Sequence, residues 1–298
     1  MRGKIVLITG ASSGIGLVTA RELARMGAGV LMACRDAGRG ARARLDVANA
    51  ATGPAPELLL ADISSQSAVR ALAHDIRRRF AGIDVLINNA AAIHARRELT
   101  ADGIERTFAT NHLGPFLLTN LLLDLVCGGT GARIVNVAAE TPLSRLEFDN
   151  LQGEKRYGFL SAYFRSKLEN IIFTLDLAER LQGTGVTVNC CSPGPTRTGF
   201  GDNMTGWPGL FPRLLKPLFP SAEKGARTLI YLASSPEVAG VSGRFFLWQR
   251  ARPTKPVTRD SEVAARLWRI SAGLVGLPIE GEVTPPEAAI EAPSRSTA

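Results

Sequence analysis

The chain has 298 residues, of which 45% are hydrophobic, and carries a net charge of +8 with a pI near 9.8. That apolar content excludes global disorder, and the length allows one large domain or two small ones. The positive charge is scattered, as in "RDAGRGARAR" and "DIRRRF", with no aromatic–basic interleaving and no recognition helix, which argues against a nucleic-acid partner. A solvated basic face or a local site for a phosphorylated ligand both remain open.

Taken in chain order, short apolar runs alternate with helical patterns. The opening "MRGKIVLITG" enters a strand directly, with no h-region and no cleavage site. Further strands are expected at "AGVLMACR", "PELLLADI", "IDVLINNA", "ARIVNVAA" and "VTVNCCSPG". Each is bounded by Gly, Pro, Asn or Asp and is nearly continuous in apolar character, as strands buried on both faces are. Helices are expected at "GLVTARELARMGA", in a short piece after the second strand, and at "SAVRALAHDIRRRFA". This alternation predicts an α/β fold: a doubly wound, Rossmann-type parallel sheet in three layers, α/β/α, as a single domain over 1–280.

The most apolar stretch, "FLLTNLLLDLVC" (116–127), is too short to span a bilayer and carries Asp124, so it reads as one buried helix with no membrane span. Residues 199–220, rich in Gly, Pro, Trp and Phe, read as a substrate lid or as a packed surface loop. Residues 281–298 read as a disordered tail. Cys34, Cys127, Cys190 and Cys191 show no metal spacing and suit a reducing, cytoplasmic setting. Adjacent Cys190 and Cys191 should face opposite sides of a strand.

Two motifs carry chemistry. "LITGASSGIG" places Gly10, Gly14 and Gly16, with Ser12, Ser13 and Ile15, between a buried strand and a helix. Glycines there let the backbone approach a pyrophosphate, and the helix N-terminus offers free N–H groups. No Gly-Lys-Ser/Thr ending follows, which disfavours a nucleoside-triphosphate loop. The second strand ends in "ACRD", with Cys34 where an acid would hold unphosphorylated ribose. Arg35 follows and can pair with a 2′-phosphate, while Asp36 is expected to point away, so NADP(H) is favoured over NAD(H). Arg39 either helps or is solvated. Further on, "YFRSK" sets Tyr163 and Lys167 at i, i+4 on one helix face. A nearby ammonium is expected to lower the phenol's pKa so that Tyr163 can protonate a carbonyl oxygen receiving hydride.

These residues, with Asp62 in "LLLADIS", "NNA" at 88–90, Asn111 in "TNHLGPFLLTN", "AYFRSKLEN" and Pro193-Gly194, stand in the order seen in short-chain dehydrogenases/reductases. The resemblance is closest to the retinol-dehydrogenase-like branch, on "NHLGPFLLT", "AYFRSKLEN", "SPEVAGVSGRFF" and "ARLWRISAGLVGL", and it runs from residue 4 to about 277. It implies that Asp62 contacts adenine, with Ile63 beside it. Asn88 would lie against the cofactor while bracing a strand, and Asn89 and Ala90 would border it. Asn111 would hold the backbone of a proton-relay water. Tyr163 would be the general acid/base, and Lys167 would bind the nicotinamide ribose. Pro193, Gly194 and Thr198 would border the nicotinamide. His112 would be structural, His94 could face substrate, and His74 would be solvated. Family members form homodimers or homotetramers through helices matching 100–127 and 162–181.

The sequence departs from the pattern at two places. Ala91 replaces a glycine after "NNA". Ala139, in "VNVAAE", stands where the family carries its catalytic serine. Thr141 or Ser144 could stand in for that hydroxyl. Glu140 could act as a base, bind substrate, or be an exposed turn residue. The leading expectation is an NADPH-dependent reductase of a lipophilic carbonyl, enone or imine. The alternatives are a non-redox cyclase, isomerase or dehydratase, or a weakly active NADP(H)-binding protein.

Overall fold

The computed structural model describes residues 1–129, 131–194 and 220–278. Its centre is an eight-stranded sheet in the order β3-β2-β1-β4-β5-β6-β7-β8. The strands are β1 (Ile5–Thr9), β2 (Gly29–Cys34), β3 (Glu57–Leu60), β4 (Val85–Asn88), β5 (Arg133–Val137), β6 (Thr187–Ser192), β7 (Arg244–Leu247) and β8 (Arg250–Arg252). The first six fall within the apolar runs above. The two final strands were not anticipated, because "RFFL" is four residues long and "RAR" is exposed, with a single small apolar residue between two arginines. The sheet is parallel except at β8, which pairs antiparallel with β7 through a tight hairpin and forms the edge.

The helices are α1 (Gly14–Arg25), α2 (Ala37–Ala50), α3 (Gln66–Arg79), α4 (Arg106–Phe108), α5 (Gly114–Leu121), α6 (Leu123–Cys127), α7 (Phe159–Arg180), α8 (Ala222–Ser234) and α9 (Ser261–Val275). A π-helical turn at Ala109–Leu113 joins α4 to α5. The stretch 116–127 is not one helix. It breaks at Leu122, whose backbone leaves helical geometry before α6 begins.

Alternation along each strand feeds two cores. Leu7, Leu31, Leu86 and Ile134 point to the layer holding α3, α5 and α9. Val6, Ile8, Met32, Ile87 and Val135 point to the layer holding α1 and α8. Cys190 and Cys191 separate in the same way, one under α7 and the other under α8. The helices that the resemblance assigns to subunit contacts pack, in this chain, under α9. Trp268 lies 5.0 Å from the Phe116 ring and 5.9 Å from that of Phe173, with the Arg180 guanidinium 3.9 Å over the indole. Among the described residues no helix is long and apolar enough to cross a membrane.

Candidate active site

The strand order reverses between β1 and β4, and the carboxyl ends of β1, β4 and β5 meet there, which is where open α/β sheets hold ligands. The glycine loop leaves β1 at this point. Gly10 and Gly14 adopt φ of 68° and 54°, the left-handed region that side chains resist. A Cβ on Gly16 would collide with the Gly10 carbonyl, so the turn closes only with glycine there. Thr9 and Asn89 brace the loop. The Asn89 and Ala90 amides each donate to Thr9 Oγ1 at 3.0 Å, and Asn89 Nδ2 donates to the Thr9 carbonyl at 2.9 Å. Ser13 begins α1 without capping it through its side chain, and it is exposed beside half-buried Ser12, with Ile15 buried beneath. A helix N-terminus presented this way fits a pyrophosphate.

At the end of β2 the Cys34 thiol is buried against the Ser12 side chain and the Ala11 backbone, and burial raises its pKa. Asp36 is committed elsewhere. Its carboxylate accepts from the Arg39 amide at 2.7 Å as the N-cap of α2, and that bond holds it below the usual carboxylate range. Arg35 is exposed at the strand end. Asp62 Oδ1 accepts from the Ser64 amide (2.9 Å) and hydroxyl (2.8 Å), which shapes the turn after β3. The following Ile63 is buried, and its carbonyl lies so close to Gly114 that any side chain at 114 would strike it. This residue set fits a nicotinamide dinucleotide.

Asn88 does not line the cleft. It is buried inside the sheet, where Nδ2 donates to Thr119 Oγ1 at 2.9 Å and to Asn136 Oδ1 at 2.8 Å. Both amide hydrogens are thus spent in bracing α5 against β5.

Asn111 sits in the π-helical turn, fully buried. Its amide clamps the chain after β4: Oδ1 accepts from the Ala92 amide at 2.7 Å, and Nδ2 donates to the Ala92 carbonyl and to Ser166 Oγ, both at 2.9 Å. Ser166 Oγ donates in turn to the Tyr163 carbonyl at 2.7 Å. Lys167, 2% exposed, donates through Nζ to the Val137 carbonyl at 3.2 Å and lies 5.6 Å from the Tyr163 ring centroid.

The electrostatics differ from the sequence expectation at one group. Burial pushes the Tyr163 phenol up to about 12, and it brings the Lys167 ammonium down to about 8. Desolvation therefore outweighs the lowering expected from Lys167, whose ammonium lies over the Tyr163 ring. At neutral pH the phenol keeps its proton and the lysine stays mostly charged.

Where the family pattern has serine, Ala139 is half-buried just past β5, after a buried Ala138. Thr141 Oγ1 accepts from the Leu143 amide at 3.2 Å within its own loop, and Ser144 is exposed. Glu140 is exposed as well. Pro193 and Gly194 stand half-buried at the end of β6, with the Gly194 amide donating to Ser192 Oγ at 3.1 Å. Thr198, the lid at 199–220 apart from its last residue, and the tail at 281–298 lie outside the described residues. His94 is buried, with Nδ1 3.7 Å from Glu98, and burial lowers its pKa. His74 is exposed. No cluster of His, Cys, Asp or Glu among the described residues could hold a metal.

Three residues were missed by the sequence reading. Ser166 and Asn170 complete a polar stripe, Tyr163–Ser166–Lys167–Asn170, at i, i+3, i+4 and i+7 in an otherwise largely buried helix; that periodicity was available as a signal. Glu169, on another face of α7, is fully buried, and neither carboxylate oxygen has a hydrogen-bond partner among the described residues. Burial raises its pKa from 4.5 to about 8, against the lowering influence of Arg165. The folded state thus holds a proton that the unfolded chain releases, so this group's stabilising contribution is full below pH about 4.5 and is lost as pH rises toward about 8. Glu169→Gln keeps the shape and removes the ionisation. It is expected to raise stability at pH 8 by up to about 4 kcal/mol and to change it little at pH 5, as read by denaturant unfolding at the two pH values.

The short chain dehydrogenase family model matches residues 4–208. The chain is 44% identical to human retinol dehydrogenase 14, over 93% of this chain and 88% of that protein. Among solved structures it is similar to an uncharacterised protein from Mycobacterium paratuberculosis (34% identity, TM-score 0.73, covering 93% of this chain and 95% of that one). It is also similar to a short chain dehydrogenase from Burkholderia cenocepacia J2315 in complex with NADP (26% identity, TM-score 0.65, 82% and 96%). With a glycine loop, a clamped asparagine and a Tyr–Lys helix gathered at one switch point, the chain belongs to the short-chain dehydrogenase/reductase family of nicotinamide-dependent oxidoreductases, in its retinol-dehydrogenase-like branch.

Proposed function

We propose that the protein is an NADP(H)-dependent oxidoreductase of a lipophilic small molecule, working as a reductase with Tyr163 as general acid. The observation that carries this reading is the placement of Tyr163 and Lys167 on one face of α7, with Lys167 anchored to the Val137 carbonyl where β5 enters the cleft. A bound nicotinamide dinucleotide would supply the hydride. Tyr163 then transfers its phenolic proton to the substrate oxygen, or to the nitrogen of an imine, and the adjacent ammonium of Lys167 stabilises the phenolate left behind. Asn111 holds the loop after β4 in place through its paired bonds to Ala92.

The 2′-phosphate preference rests on Arg35, exposed at the end of β2, and on Asp36, whose carboxylate caps α2 instead of meeting a ribose. The relatives named for retinol and the NADP-bound neighbour support the lipophilic substrate and the cofactor. The alanine at 139 favours substrates that need less polarisation of a carbonyl, such as an enone reduced at C=C or an imine.

The test is oxidation of NADPH and of NADH with a panel of retinal, nonanal, a cyclohexenone and a cyclic imine, followed by absorbance of the reduced nicotinamide. Turnover with NADPH in preference to NADH is expected. No turnover of any panel member in either direction, with the cofactor nonetheless bound, would overturn the reading in favour of a binding protein. Arg35→Ala is expected to raise the KM for NADPH on the order of ten-fold and to leave that for NADH unchanged. Equal effects on both would remove Arg35 from the phosphate site.

A further inference from the structure

The C-terminal helix, more than ninety positions downstream of the Tyr–Lys pair, is joined to it by an unbroken chain of buried hydrogen bonds. Asn170 is the junction. Its Nδ2 donates to the Asn111 carbonyl at 2.9 Å and to the Val137 carbonyl at 3.3 Å, the same carbonyl that accepts from Lys167. One amide thus ties the π-helical turn that carries Asn111 to the end of β5 and to the anchor of the lysine.

The rest follows from donor and acceptor inventory. Both hydrogens of Nδ2 are spent on carbonyls, and flipping the amide would set Oδ1 against two acceptors, so Oδ1 must face His112. It lies 3.3 Å from His112 Nδ1, which is therefore the protonated ring nitrogen. Nε2 is then an acceptor, and Ser271 Oγ of α9 donates to it at 2.9 Å. His112 and Ser271 are both fully buried, and burial holds His112 down to about 4, so the ring stays neutral and this tautomer persists. Helix α9 is itself pinned. Asp260 caps its start through the Glu262 and Val263 amides, Trp268 seats on Phe116 and Phe173, and Gln66 and Arg70 of α3 bond the Leu274 and Val275 carbonyls.

We propose that Asn170 is a positioning residue for Lys167 and Asn111, and that α9 sets its orientation through Ser271 and His112. The proposal rests on the reading of Tyr163 and Lys167 given above. It makes the C-terminal helix part of the catalytic apparatus, not only cover for α5 and α7. Without the Asn170 amide, the Val137 carbonyl has Lys167 as its remaining side-chain donor. The ammonium is drawn toward that carbonyl, and the Asn111 turn loses its tie to β5. Misplacement of a catalytic group by about 1 Å can cost on the order of 10²-fold in rate.

The experiment compares His112→Asn with His112→Leu, alongside Asn170→Ala, in the full chain. Assays use NADPH and whichever member of the panel turns over fastest. Asn at 112 keeps a donor near the Nδ1 position, whereas Leu better preserves packing among Phe108, Phe116 and Phe173. If His112 acts through hydrogen bonding, His112→Asn keeps kcat within about three-fold and His112→Leu loses about ten-fold or more, with KM little changed in both. Packing alone predicts the reverse order, and that result would overturn the proposal. Asn170→Ala is expected to lower kcat by about 10²-fold with NADPH binding retained, and to move the alkaline limb of the kcat–pH profile. A folded Asn170→Ala with unchanged kcat and limb would also overturn it. Should Asn170→Ala not fold, the pair at 112 decides. Tyr163→Phe in the same assay separates the two levels: full activity there means that the site reading has failed, not the positioning.

Discussion

Tyr163→Phe is expected to lower kcat by about 10²–10⁴-fold while leaving NADPH binding intact. The substitution removes one oxygen from a half-buried ring and leaves the Ser166 bond to the residue's backbone carbonyl in place, so the helix and the Asn111 clamp should persist. What disappears is the proton. Burial keeps the phenol protonated up to about 12, so at neutral pH the native side chain is a fully loaded donor whose conjugate base needs a neighbouring cation. Lys167 supplies that charge, and because burial brings it down to about 8, it loses the charge as pH rises through that value. Reduction by the native protein should therefore hold steady from neutral pH to near 8 and fall above it. Steady-state kcat as a function of pH, with NADPH affinity measured separately, checks both statements. A Phe variant with native kcat refutes the acid assignment.

Ala139→Ser is expected to raise ketone reduction by about 10²–10³-fold, the typical effect of one hydrogen-bond donor to a developing oxyanion. Position 139 is half-buried just past β5, two residues beyond the Val137 carbonyl that anchors Lys167. A hydroxyl there would complete a donor set with Tyr163. In the adjacent loop Thr141 Oγ1 accepts from the Leu143 amide and Ser144 is exposed. The measurement is kcat/KM for matched ketone and enone substrates in the native protein and the variant. A gain for the ketone with a loss for the enone would show that the methyl group makes room for the substrate actually used. No change for either would show that position 139 does not approach the reacting atoms.

The glycine turn of the candidate site was legible in the sequence because its determinants are local. Gly10, Gly14 and Gly16 are required by the conformation and crowding of a single turn, and the buried strand and helix flanking them carry their own hydrophobic signals. Tyr163 and Lys167 were legible for the same reason, as neighbours on one helix. Less local features were not. A strand as short as "RFFL" gains its identity from pairing with β6, and the exposed β8 gains its own only from the hairpin with β7.

By itself, then, the amino-acid order determined the parallel α/β architecture, the glycine turn after β1, the basic end of β2 and the Tyr–Lys pair. Each follows from residues within a few positions of one another and from the period of the element that carries them. Only the tertiary structure decided the rest. Asp36 is taken by the cap of α2, and Asn88 is turned into the sheet. Burial, more than the nearby ammonium, sets the Tyr163 phenol. Asn170, His112 and Ser271 join three helices into one hydrogen-bonded line. The physical reason is common to all four: a polar group's partner and its proton depend on what else is buried with it, and burial brings together residues that the chain holds far apart.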